Sequence, residues 1–129
     1  MEIVKFKGHE IELAGVKYQC PPLSPYCYSK YGASKKIQTI REEIDKMQKG
    51  NQNFAELSEE SFTNIIELTT LALKRNYPDI TEDDVGEGFY DGFAIFGVLQ
   101  FLISQDEKVQ EERQKQIKNV QKQSGKTTN

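Results

Sequence analysis

The sequence predicts an α+β fold: mainly α-helical, with a short N-terminal β-hairpin or meander, about four helices around an apolar last helix, and a solvated C-terminal extension. Three observations predict it. The first residues alternate between apolar and polar with period two, the signature of half-buried strands. Two helix-start signals, at Ser58 and Thr81, each follow an apolar residue and precede acidic ones. The stretch from Phe89 to Ile103 is apolar on nearly every side of a helix.

The strands come first. Ile3, Lys5 and Lys7 fall on one side of an extended chain, with Glu2, Val4 and Phe6 on the other. Ile11 and Leu13 alternate with Glu10, Glu12 and Ala14. Gly8-His9 lies between the two runs and suits a tight turn. Gly15 breaks the second run, so Val16 to Tyr18 is a third short strand or a bulged continuation. Such a meander is marginal alone and must lean on helices. His9, the only histidine, is expected as a solvated turn residue, because metal binding or catalysis needs convergent partners.

Pro21, Pro22 and Pro25 mark a stiff connector that cannot join a ladder. Ser24 then caps a helix with Pro25 at its first position, and the helix passes Gly32 and runs on to Lys49. Ile37, Ile40, Ile44 and Met47 form its apolar stripe, and Gly50 stops it. Tyr26, Tyr28 and Tyr31 suit either an interface or the packing of this helix onto the sheet, and the second is the expected role. Cys20 and Cys27 are spaced C-x6-C with no second ligand pair, which reads as two packed thiols rather than a metal or redox site.

Ser58 caps the next helix, with Glu59 and Glu60 at its positive end and Leu57 and Phe62 at staple spacing. Phe62, Ile65, Ile66, Thr69, Ala72 and Leu73 mark its inner face, widened by Leu68 and Leu71. Pro78 ends it. Thr81 repeats the device, followed by Glu82, Asp83 and Asp84, with Ile80 and Val85 as the staple. Gly86 and Gly88 keep that helix short. The last helix is expected from Glu87 or Phe89 to Ser104. From Gln105 the chain turns rich in Gln, Lys and Glu, and the helix should extend some way as a solvated arm. The expected organisation is one globular domain over 1–104, with the hairpin in 1–19 and the helices in 24–104, then a polar, partly helical or disordered tail over 105–129.

Charge and motifs limit the function. A net charge of −3 over 129 residues gives no electrostatic reason for nucleic-acid binding. The charge is uneven: residues 1–104 hold 11 basic and 16 acidic side chains, and the remainder holds 6 and 4. The apolar run from Phe93 to Ile103 falls well short of the roughly 20 residues that span a bilayer. The alternating N-terminus lacks the apolar core of a secretory signal. The acidic run at Glu82 to Asp84 lacks the calcium-loop pattern and reads as capping. Gly125-Lys126-Thr127 is not a P-loop, since Val120 stands where its first glycine belongs. No catalytic set can be assembled, and no metal or cofactor is expected. What remains is partner binding. Phe89, Tyr90, Phe93 and Phe96 carry more apolar surface than the neighbouring helices need, so they are the expected partner-binding residues.

A hairpin, then the run ALKRNYPDITEDDVGEGF joining a capped helix, a short acidic helix and an apolar one, then a Gln/Lys-rich end, resembles the tail assembly chaperones of long-tailed bacteriophages and prophages. The resemblance is one of layout over residues 1–104 and is strongest from Leu71 to Val85. It implies a non-enzymatic protein of the bacterial cytoplasm that binds the tape-measure protein and helps recruit tail-tube subunits. It also implies a longer form made by −1 ribosomal frameshifting, with the polar end as the linker where the two forms diverge. The competing expectation is a structural or adaptor component of a phage particle that self-associates through the apolar helix.

Overall fold

A computed structural model describes residues 5–50 and 57–127; within the last helix, the side chains of residues 92, 93 and 119–127 lie outside the description. Two strands and five helices follow one another: β1 (His9–Leu13), β2 (Val16–Cys20), α1 (Pro25–Lys30), α2 (Ala33–Lys49), α3 (Glu59–Leu73), α4 (Glu82–Gly88) and α5 (Gly92–Thr127). The fold is mainly helical with an N-terminal two-stranded antiparallel hairpin.

The hairpin sits one turn later in the chain than the alternation suggested. His9 pairs with Cys20 and Leu13 with Val16, so the turn is Ala14-Gly15 and not Gly8-His9. Both turn residues have positive φ, 50° and 81°. Two such residues in a two-residue loop make the turn whose twist matches that of the flanking strands. Gly8 serves a different need, since a Cβ there would stand 2.0 Å from the Cys20 carbonyl oxygen. The expected third strand is therefore the second. Of the strand expected over residues 2–7, residues 2–4 lie outside the described residues. Phe6 and Gly8 are irregular and are held by the side chains of Asn76 and Gln19. His9 is a strand residue stacked on Phe101, with ring centroids 5.5 Å apart, and not a turn residue.

The helix expected to pass Gly32 is two helices. Ser24 caps α1, accepting from the Cys27 amide, and Gly32 at φ 62° breaks the run before α2 begins. The left-handed conformation costs an ordinary residue about 1–2 kcal/mol, so glycine sets the break. The stripe of α2 is as expected: Ile37, Ile40 and Met47 are buried and Ile44 is half-buried.

Ser58 caps α3 by accepting from the Ser61 amide, and Thr81 and Asp84 form a reciprocal capping box on α4. The last helix starts later than expected. Phe89 is extended, at φ −67° and ψ 133°, and Asp91 accepts from the Ala94 amide at the start of α5. The helix then continues without a break past Ser104. The Gln105 side chain accepts from the Leu23 amide at 2.9 Å and donates to its carbonyl at 3.0 Å. Asp106 is buried and accepts from the Ser34 hydroxyl at 2.8 Å. Residues 111–118 are exposed.

The core has two parts. The larger joins Ile11 and Leu13 of the hairpin to Cys27, Ile37, Leu68, Leu73, Val85 and Leu102. The smaller joins Ile40, Met47, Leu57, Ile65, Ile95 and Leu99. Phe89 and Ile103 pack against both. Each fully buried aliphatic side chain contributes about 1.5–3 kcal/mol, so the hairpin is held chiefly by Ile11 and Leu13 reaching into the helical layer.

Candidate functional site

A groove of ≈ 600 Å³ runs between β1, the α4–α5 link and the first turns of α5. Its floor is apolar or small: Ile11, Phe89, Ala94, Gly97 and Val98. Its rim carries Glu10, Glu12 and Glu87. Each part follows from local sequence. Alternation in β1 sends Ile11 and Leu13 into the core and leaves Glu10 and Glu12 outside. Gly88 approaches β1 so closely that a Cβ on it would stand 2.7 Å from the Leu13 Cβ. That approach lets the Ala14 amide donate to the Gly88 carbonyl at 2.8 Å. The chain then runs extended through Phe89 before α5 begins.

Of the four residues expected to bind a partner, two line this groove. Tyr90 is 94% exposed at its edge, and Phe89 is half-buried, with one side in the groove and the other against both parts of the core. Phe96 is 38% exposed on α5 but is not part of the groove lining. The Phe93 side chain lies outside the described residues. Sequence reasoning missed Glu10, Glu12 and Glu87. The alternation signal that would have found the first two was present, but the misplaced turn hid which strand edge they occupy.

The rim is electrostatically one-sided. None of Glu10, Glu12 and Glu87 forms an ion pair among the described residues, where the ion pairs are Lys36–Glu67, Arg41–Glu107 and Lys115–Glu112. Lys17 stands opposite Glu12 on β2. His9 lies along the groove with its ring stacked on Phe101.

The tyrosines of α1 and its C-cap divide. Tyr26 is exposed and meets Tyr31 edge-on at 6.4 Å, with Lys30 over both rings. Tyr28 and Tyr31 pack against the larger core, and the Tyr28 side chain lies beside Val109 and Arg113 of α5 in a hollow of ≈ 250 Å³. Burial pushes the Tyr28 hydroxyl up to about 12, with the Asp106 carboxylate adding to the effect. Cys20 and Cys27 are free and buried, and burial pushes the Cys20 thiol up to about 12, which makes it a poor nucleophile. Among the described residues no group of three or more His, Cys, Asp or Glu is placed to hold a metal, and no helix is long and apolar enough to cross a membrane.

A scan against protein-family models returns no match, and neither the curated proteins nor the solved structures contain a match to this chain.

Proposed function

We propose that this protein is a tail assembly chaperone of a long-tailed bacteriophage or prophage. It acts without catalysis in the cytoplasm of the bacterial host, binds the tape-measure protein and assists assembly of the tail tube. The observation that carries the reading is the exposed Tyr90 beside an apolar-floored groove. A holding protein needs apolar surface that its own core does not consume, and a rim polar enough to keep it from aggregating. The sequence supplies the second support: its run from a capped helix through a short acidic one to an apolar one resembles the layout of that family.

The test is co-expression with a long helical phage tape-measure protein. The partner should move from the insoluble to the soluble fraction and co-purify with this chain. A partner that stays equally insoluble refutes the proposal. Stoichiometric amounts of this chain in finished virions would instead assign it a structural role, because a chaperone leaves before completion.

A further inference from the structure

The outer edge of β1 is an open strand position. In an antiparallel hairpin, directly opposed residues alternate between pairs that exchange hydrogen bonds and pairs that do not. A two-residue turn at Ala14-Gly15 makes Leu13–Val16 a bonded pair, and Ile11–Tyr18 and His9–Cys20 follow in phase. The amides and carbonyls of Glu10 and Glu12 therefore face away from β2. The next outward group along this edge, the Ala14 amide, is taken by the Gly88 carbonyl at 2.8 Å. Phe89 that follows is extended but is not a strand of the sheet, and the chain then turns off into α5. Beyond that single bond, no described residue bonds the outward backbone of Glu12 or Glu10. The groove lies along this edge: its lining takes residues from β1, α4, the link and α5, and none from β2.

We propose that an extended segment of a partner protein, alternating basic and small apolar residues, docks here as a third strand beside β1. Charge selects the basic side chains, because those on the outer face of the added strand would meet Glu10 and Glu12, with Glu87 close by. Space selects the apolar ones, because those on the inner face would enter over Ala94, Gly97 and Val98. Gly97 leaves room there: a Cβ on it would meet nothing nearer than the His9 ring, at 3.8 Å. A second copy of this chain fits poorly, since pairing β1 with itself sets glutamates against glutamates. The inference rests on reading this groove as the partner site, but not on the partner being a tape-measure protein.

The probe is a dye-labelled, capped octapeptide of alternating lysine and valine, titrated into the full chain by fluorescence anisotropy. It should bind, and the Glu10 and Glu12 amides should gain protection from hydrogen exchange. Methylating alternate backbone nitrogens of the peptide should weaken binding at least tenfold. A Glu10→Lys, Glu12→Lys double variant, checked for folding by circular dichroism, should lose the lysine peptide by at least tenfold and gain the matching glutamate peptide. Three results would overturn the proposal. One is no binding, which leaves the glutamates as guards against edge-to-edge aggregation. Another is binding indifferent to methylation, which is charge attraction without a strand. The third is a dimer of this chain that protects the Glu10 and Glu12 amides. Peptide binding without rescue of the tape-measure protein would leave this inference standing and refute the chaperone reading; rescue without peptide binding would do the reverse.

Discussion

Glu43 reaches from α2 to the first turn of α3. Its carboxylate accepts from the Ser58 amide, from the Ser58 hydroxyl at 2.8 Å and from the Ser61 hydroxyl. Burial pushes this carboxyl up, but the hydrogen bonds from Ser61 and Ser58 outweigh burial and hold it below the usual range. It also places negative charge at the positive end of α3. Glu43→Gln should cost about 1–2 kcal/mol in urea unfolding, because bonds to a charged acceptor are lost. The pH dependence has a definite sign. A lowered folded pKa means that the Glu43 contribution is complete above the ordinary glutamate value of about 4.3 and is lost as pH falls through the folded value. Unfolding measured from pH 6 down to pH 3 should therefore show a shallower acid loss in the variant. Thr69 presents the opposite case. It is fully buried, and its hydroxyl has no partner among the described residues. Thr69→Val removes an unpaired polar group at nearly constant shape and should raise stability by about 1 kcal/mol. At this scale the sequence placed Thr69 on the inner face of its helix, but only packing shows that its hydroxyl is stranded.

At the scale of elements, the capped starts of α1, α3 and α4 were legible, and the starts of α2 and α5 and the hairpin turn were not. Ser58 and Thr81 cap as their neighbours implied, because capping is settled within four residues. The hairpin turn could not be read in the same way. Gly8-His9 and Ala14-Gly15 both offer a glycine between alternating runs, and the choice depends on Ile11 and Leu13 reaching the helices with Gly8 lodged against Cys20. The turn is not optimal, since Ala14 adopts φ 50°. Ala14→Asn supplies the Asn-Gly pair that this turn prefers and should stabilise the chain by about 0.5–1 kcal/mol in thermal or urea melts. Gly88→Ala should act in the other direction. The added methyl meets the Leu13 side chain, forces α4 from β1, and should cost about 1–3 kcal/mol. Faster hydrogen exchange at the Ala14 amide would report loss of its bond to Gly88.

At the scale of the molecule, α5 connects parts that composition separates. Up to Ser104 it supplies core side chains, and its polar part begins while still packed, through Gln105 on Leu23, Asp106 and Gln110 on Ser34, and Glu107 on Arg41. Two truncations separate these roles. Ending the chain after Gln116 should leave the melting temperature nearly unchanged, because residues 111–118 are exposed. Ending it after Ser104 should cost about 2–4 kcal/mol, because the part-buried Ser34 and Leu23 groups lose their partners. Of the groove, Phe89 and Tyr90 were legible as apolar surface in excess. Its acidic rim was not, because Glu87 is far in sequence from Glu10 and Glu12 and joins them only when Gly88 docks on Leu13.

The sequence by itself determined the mainly helical class, the capped starts of α3 and α4, the apolar stripe of α2 and the apolar excess that begins α5. All of these rest on interactions between residues a few positions apart. Only the tertiary structure decided where the hairpin turns, that Gly32 divides one helix into two, how far the polar end of α5 stays packed, and that an open strand edge lies beside an acidic groove. The break at Gly32 is a left-handed conformation that glycine permits but does not require; the others depend on groups distant in the chain competing for the same space and the same hydrogen bonds, and local propensity does not record that competition.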